Sequence, residues 1–249
     1  MVMVRKRLTY NKTSHLVIVP TYNEVKNIEK FLKELLQFNV SVLVVDDNSP
    51  DGTADVVSKM SENYENIYLK NRSGKLGLGS AYRAGFKWGL EKNFNYLIEM
   101  DADFSHRFTD LESILNSSNS SDVVIGSRYI RGGGSSGWDF KRKLLSKYAN
   151  LISMLLLRSQ VRDMTSGFRC YSSKALKLIE YHNTSTNGYS FQIEMTLRSV
   201  VKKLNILEIP ILFTERELGN SKMSQNIVLE AVSFLLKNGI RRWLNLKIM

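Results

Sequence analysis

The chain has 249 residues, with 35 Lys and Arg against 24 Asp and Glu, a formal net charge of +11. At 43% apolar and 24% charged residues with a single cysteine, it reads as a folded protein of one large or two small domains. Intrinsic disorder, a collagen-like repeat and a disulfide scaffold are excluded, and the lone Cys170 favours a reducing compartment. The basic excess calls for an anionic partner: nucleic acid, a phosphorylated ligand or a membrane surface. It is concentrated between Gly126 and Lys174, where ten basic residues face only Asp139 and Asp163, and in the final stretch with Lys237, Arg241, Arg242 and Lys247.

Residues 1–14 form a basic tail containing Arg5, Lys6 and Arg7 but no signal-peptide core. No apolar run reaches the ~18 residues of a membrane span. The chain is therefore expected on the cytosolic side. Leu16–Pro20 reads as a buried strand, and a helix follows from Glu24 to about Gln37 with Ile28, Phe31, Leu32, Leu35 and Leu36 on one face. Val40–Val45 is a β-branched strand ending in Asp46 and Asp47, and Asp51-Gly52-Thr53 turns and caps the next helix. A strand at Asn66–Leu69, a helix at Leu78–Leu90, and strands at Tyr96–Met100 and Asp122–Ile125 complete the first half. Strands alternating with helices predict an α/β fold with a mostly parallel sheet, whose ligands bind beyond the carboxyl ends of the strands. The second half is less regular, and Gly132–Gly137 is read as a flexible loop.

Three of the four legible strand ends carry acids. Asp101-Ala102-Asp103 is the sharpest case: on an extended segment the two carboxylates share one side and repel unless a cation lies between them. Oxygen ligands favour Mg²⁺ or Mn²⁺, and three histidines with one cysteine offer no zinc-type cluster. Lys75-Leu76-Gly77-Leu78-Gly79 is a Gly-rich loop entering a helix, open to a phosphate or nucleoside, although it is neither a Walker loop nor a dinucleotide fingerprint. Arg128, Arg142 and Arg169 are candidate phosphate clamps, and Lys222 after Gly219-Asn220-Ser221 could close over a phosphate. Two segments have the makings of interfacial helices. One is Lys141–Leu157, with Leu144, Tyr148, Leu151, Ile152 and Leu155; the other is 223–249, with Ile227, Ala231, Phe234 and Leu235 ahead of Arg241-Arg242-Trp243. The competing reading of each is a helix packed on the core.

Together these blocks resemble the inverting GT-A glycosyltransferases of family two, and within them the dolichyl-phosphate mannose synthases. The matching segments are Pro-Thr-Tyr-Asn-Glu at 20–24, Val-Val-Asp-Asp-Asn-Ser-Pro-Asp-Gly-Thr at 44–53, Lys-Leu-Gly-Leu-Gly-Ser-Ala-Tyr at 75–82, Met-Asp-Ala-Asp-Phe-Ser-His at 100–106 and Val-Ile-Gly-Ser-Arg-Tyr at 124–129. Asp-Met-Thr-Ser-Gly-Phe-Arg at 163–169, Gly-Tyr-Ser-Phe-Gln-Ile-Glu-Met at 188–195 and Gly-Asn-Ser-Lys at 219–222 follow in family order. The resemblance implies a Rossmann-like catalytic domain over 15–222, with an acceptor loop near 130–137. It implies that Pro20, Tyr22, Glu24, Asp47, Lys75, Gly77 and Ala102 surround a sugar nucleotide, GDP-mannose. Asp101, Asp103 and, at a position where some relatives carry Gln, Ser105 would hold Mg²⁺ or Mn²⁺. Arg128, Arg142 and Ser146 would receive a dolichyl or other polyprenyl phosphate, and Arg216 and Lys222 would neutralise the diphosphate.

The chemistry agrees with that residue inventory. A phosphate monoester has a second pKa near ~6, so its oxygen is already an anionic nucleophile and needs no strong general base. A single displacement would invert the anomeric carbon. The expected setting is the cytoplasmic face of a membrane, endoplasmic reticulum or prokaryotic plasma membrane, with peripheral attachment or attachment through small membrane subunits. A UDP-sugar donor, as in the related glucosyl transferases, is the alternative within the class. A nucleic-acid-binding or scaffold protein would explain the charge but not the acids at successive strand ends.

Overall fold

The computed structural model describes residues 14–188, 190–215, 225–246 and 248. Most of the basic tail, the Gly219-Asn220-Ser221 segment, Arg216 and Lys222 lie outside the described residues. In chain order, β1 (His15–Thr21), α1 (Val25–Leu35), β2 (Ser41–Asp46), α2 (Thr53–Asn63), β3 (Ile67–Asn71), α3 (Leu78–Glu91) and β4 (Tyr96–Glu99) alternate as the hydrophobic pattern requires. Then come α4 (Phe108–Ser117), β5 (Val123–Ser127), β6 (Gly134–Ser136), α5 (Phe140–Leu157), β7 (Arg169–Ser172), α6 (Ser173–Ile179), α7 (Ser190–Val201), β8 (Ile206–Pro210), β9 (Leu212–Thr214) and α8 (Gln225–Trp243).

The main sheet has the order β3-β2-β1-β4-β7-β5-β8. The pairs β1–β2, β2–β3, β1–β4 and β5–β8 are parallel, and β7 runs antiparallel between β4 and β5. Successive residues of β1 and β2 face opposite sides of this sheet. Leu16, Ile18, Leu43 and Val45 join Tyr82 and Phe86 of α3 and Phe191 of α7 on one side. Val17, Val19, Val42 and Val44 join Ile28, Phe31, Leu32 and Leu35 of α1 with Leu111 and Ile114 of α4 on the other. A Cβ at Gly85 would stand 2.5 Å from Ile18, and one at Gly89 2.5 Å from Leu97, so the glycines of α3 let it lie close against the strands.

The Gly132–Gly137 segment departs from the loop reading. Its residues Gly134–Ser136 form a strand paired in parallel with Leu212–Thr214, and the Gly134 N–H donates to the Ile211 carbonyl at 2.9 Å. The partner is about eighty residues away, so no local pattern announces the pairing. β1, β2 and β3 step one way across the sheet while β4 lies on the other side of β1, which opens a crevice between the carboxyl ends of β1 and β4.

Candidate active site

On the β1–β2 side of that crevice stand the residues expected around a nucleoside. The Lys75 ammonium lies 4.7 Å from the centre of the Tyr22 ring, and the Glu24 carboxylate accepts from Asn27 at 3.1 Å. The two acids ending β2 have separate tasks. Asp46 is fully buried and accepts from the Thr21 hydroxyl, the Ser49 N–H and the Ser49 hydroxyl at 2.6–2.8 Å, so it closes a turn. Asp47 turns toward the Gly-rich loop, where it accepts the Leu76 N–H at 3.2 Å and pairs with Arg72. Arg72 also donates to the Ser80 hydroxyl at 2.6 Å and the Gly77 carbonyl at 3.3 Å, and so binds strand end, loop and helix start into one unit. Sequence reasoning passed over Arg72; its signal was a basic residue directly after β3, beside the acid directly after β2. Gly77 has φ +92°, and a Cβ there would press to 3.1 Å from Asn187.

The Asp101–Asp103 segment is not an extension of β4, which ends at Glu99. Ala102 to Phe104 follow as bends, with Phe104 at φ +60°, so the same-side argument from strand geometry does not apply. Asp101 is partly exposed and accepts from the Tyr82 hydroxyl at 3.4 Å. Asp103 is buried and accepts both the Ser105 N–H, at 3.1 Å, and the Ser105 hydroxyl, at 2.5 Å. Ala102 packs its methyl group in the core beside β4, so only its backbone is available to a ligand. Among the described residues no three His, Cys, Asp or Glu side chains gather around one point. Two carboxylates and a hydroxyl fit a hard cation that takes its remaining ligands from phosphate and water, as Mg²⁺ does beside nucleotides.

Beneath this segment lie two buried titratable groups. Burial, opposed by Asp103, lowers the His106 pKa to about 4, so its ring is neutral at pH 7. It stacks on Phe168 at 4.7 Å, and its Nε2 lies 3.8 Å from Asp101. Burial likewise raises the Glu99 pKa to about 8 against the pull of Arg169.

The residues expected at the acceptor phosphate come from two elements, the end of β5 and α5. Arg128, just past β5, makes a two-pronged pair with Asp163 at 2.8 Å, and its own N–H donates to the same carboxylate at 2.9 Å. Burial raises the pKa of Asp163, but Arg128 outweighs it and holds the carboxyl below its ordinary value. Glu208 on β8 fixes this loop by accepting the N–H groups of Arg162 and Asp163 at 2.8 and 2.9 Å. Ser146 on α5 shares a 2.6 Å hydrogen bond with Tyr129. Arg142, one turn earlier, donates to Glu215 at 2.6 Å and lies 4.4 Å over the Trp138 ring. Arg128 lies 5.6 Å from the same ring. Trp138 meets Phe213 edge-on at 5.4 Å, and Phe213 meets His106 at 5.5 Å, so an aromatic column joins the arginines to the Asp101 side of the crevice. Sequence reasoning did not single out Trp138, Phe213 or Glu215. Arg169 is no clamp: it is wholly buried and donates to the Ser166, Met164 and Gln192 carbonyls and the Thr196 hydroxyl.

A switch-point crevice flanked by strand-end acids is the layout of the GT-A fold. The chain belongs to Glycosyl transferase family 2, whose profile matches residues 16–179. It is 41% identical over 230 residues to the polyprenol monophosphomannose synthase of Mycolicibacterium smegmatis, covering 91% of this chain and 87% of that one. It is also 41% identical over 235 residues to the undecaprenyl-phosphate mannosyltransferase of Micrococcus luteus, covering 93% and 97%. Among solved structures it resembles glucosyl-3-phosphoglycerate synthase from Mycobacterium tuberculosis, in complex with Mn²⁺, UDP-glucose and phosphoglyceric acid. The TM-score is 0.66 at 16% identity, over 92% of this chain and 80% of that one. A Pyrobaculum calidifontis mannosyltransferase with GDP-Man and Mn²⁺ gives a TM-score of 0.57 at 16% identity, over 94% and 65%. At these identities the solved structures speak for the fold.

Proposed function

We propose that this protein transfers mannose from GDP-mannose to a polyprenyl phosphate of the dolichyl type, with inversion, at the cytosolic face of a membrane. The observation that carries the reading is that Arg128 and Arg142 both lie against Trp138 and Ser146 bonds Tyr129, beside the aromatic contacts that lead to His106, in a chain whose near-full-length relatives bear mannosyl transferase names. The acceptor phosphate oxygen attacks the anomeric carbon as the bond from that carbon to the diphosphate oxygen breaks. No general base is needed, since the oxygen is already anionic above pH ~6. His106, buried and neutral, is not placed to serve as one. Asp101, Asp103 and the Ser105 hydroxyl would hold Mg²⁺ or Mn²⁺, which supplies charge neutralisation to the leaving diphosphate. Tyr22, Glu24, Asp47 and Lys75 orient the nucleoside. Arg216 and Lys222, outside the described residues, retain the role that the family resemblance implies.

The membrane side of the reading is supported by the surface. On α5, Leu145, Tyr148, Ile152 and Leu155 form an exposed stripe at helical spacing, and on α8 so do Leu229, Val232, Leu236, Ile240 and Trp243. The two helices pack together: Arg242 donates to the Leu157 carbonyl at 3.0 Å, and Arg158 lies 5.3 Å over Trp243. The stripe expected on the C-terminal helix is different. Phe234 is buried and Leu235 packs on the core, so that face holds α8 to the domain and the next face round is the exposed one. Among the described residues no helix is long and apolar enough to cross a membrane.

The test is incubation of the purified protein with labelled GDP-mannose, a polyprenyl phosphate and Mn²⁺, beside Asp103→Ala. Metal-dependent label in the lipid phase, lost in the variant, is the expected result. Transfer from UDP-glucose but not GDP-mannose would replace the donor, and no transfer to lipid phosphate from either would overturn the reading.

A further inference from the structure

The two arginines of the acceptor pocket are paired in physically different ways. Arg128 and Asp163 are buried, with side chains 9% and 0% exposed, and the pair is tied down by the Arg128 N–H as well. Removing a partner from such a pair leaves an uncompensated charge, so it is a permanent fixture. Arg142 and Glu215 are 45% and 46% exposed. A half-exposed pair contributes little to stability and exchanges readily. Yet its geometry is built. The Arg142 N–H is fixed by the Asp139 side chain at 2.7 Å, and the guanidinium face is covered by Trp138. The Glu215 N–H donates to the Ser136 carbonyl at 3.0 Å. Gly137 has φ +82°, and a Cβ there would come within 2.7 Å of the Glu215 Cβ, so glycine makes room for this carboxylate.

We propose that Glu215 is an internal occupant of the acceptor-phosphate seat: its carboxylate holds Arg142 until a phosphate monoester displaces it. The inference rests on the reading that Arg142 receives the acceptor phosphate. A carboxylate presents a guanidinium with two oxygens and one negative charge; a phosphate monoester presents three oxygens and, above pH ~6, nearly two charges. The exchange therefore favours the monoester over singly charged anions. The Trp138 indole N–H, buried beside both guanidinium groups, has no hydrogen-bond partner among the described residues, and a third phosphate oxygen is an acceptor that the carboxylate does not offer. Glu215 thus sets acceptor selectivity by competition and keeps the arginine extended while it waits.

The test uses the full chain with a short-chain polyprenyl phosphate at saturating GDP-mannose and Mn²⁺. Glu215→Gln should lower the acceptor KM about two- to fivefold, the range expected for removing one exposed ion pair. Tryptophan-fluorescence titration with the same lipid phosphate, without donor, should show the same tightening. In an Arg142→Ala background the Glu215→Gln gain should vanish. An unchanged or raised acceptor KM in Glu215→Gln, or a gain that persists without Arg142, would overturn the proposal while leaving the transferase reading intact. Failure of the wild-type chain to use the lipid phosphate would instead remove the reading on which it rests.

Discussion

Glu99 shows how far a single residue can depart from its ordinary chemistry. It is fully buried at the end of β4, opposite Arg169 on β7, and accepts one bond from Gln192 at 2.8 Å. Among the described residues, neither its second oxygen nor the Gln192 side-chain oxygen has a hydrogen-bond partner. Burial raises its pKa from 4.5 to about 8, so the folded protein holds this proton more tightly than the unfolded chain does. The stability that Glu99 contributes is then fully present below pH 4.5 and is lost as the pH rises through about 8. His106 has the opposite sign. Its pKa falls from 6.5 to about 4, so its contribution is present above pH 6.5 and is lost as the pH falls toward 4. Between pH ~7 and ~8 the His106 contribution is already complete while that of Glu99 still changes with pH. In calorimetry with chelator present, the wild-type Tm should fall across that window and the Glu99→Gln profile should be flatter. The amide can also donate to the orphaned Gln192 oxygen. Parallel profiles would show that Glu99 does not titrate there.

Among the elements, α5 is central to the proposed function. Its inner face is small and polar: Asn150 ties it to the loop that carries Asp163 by accepting the Met164 N–H at 2.9 Å and donating to Thr165 at 3.1 Å. Its outer face leaves Leu145 69% and Leu155 61% exposed, an arrangement that stability does not explain. Leu145→Gln with Leu155→Gln should therefore leave Tm nearly unchanged while reducing co-sedimentation with anionic vesicles. A large drop in Tm, or undiminished vesicle binding, would count against an interfacial role. The periodicity of α5 was legible in the sequence. Which face of α8 is outward was not, because Phe234 and Leu235 lie in an equally plausible apolar stripe and only contact with the domain selects it.

At the scale of the whole molecule, the +11 charge is the long-range counterpart of those apolar stripes. Exposed charges act over a screening length of about 10 Å at 0.1 M salt and about 3 Å at 1 M. Binding to anionic vesicles should weaken steeply as salt rises, and binding to neutral vesicles should depend on it little. Salt-independent binding to anionic vesicles would mean that apolar contact alone holds the protein to lipid.

The sequence by itself determined the alternating first half, the strand ends at Tyr22, Asp47 and Asp101, the Gly-rich loop and the clustering of positive charge, because each is encoded by neighbours along the chain. Through family resemblance it also raised the expectation that Arg128, Arg142 and Ser146 receive a phosphate. Only the tertiary structure decided that β7 inserts antiparallel between β4 and β5, that Gly134–Ser136 pairs with Leu212–Thr214, and that Asp46 closes a turn while Asp47 faces Arg72. It alone revealed Trp138 beside two guanidinium groups and Glu215 against one of them. Local pattern reports which face of an element is apolar; which distant charge or ring meets that face is settled when the chain closes on itself.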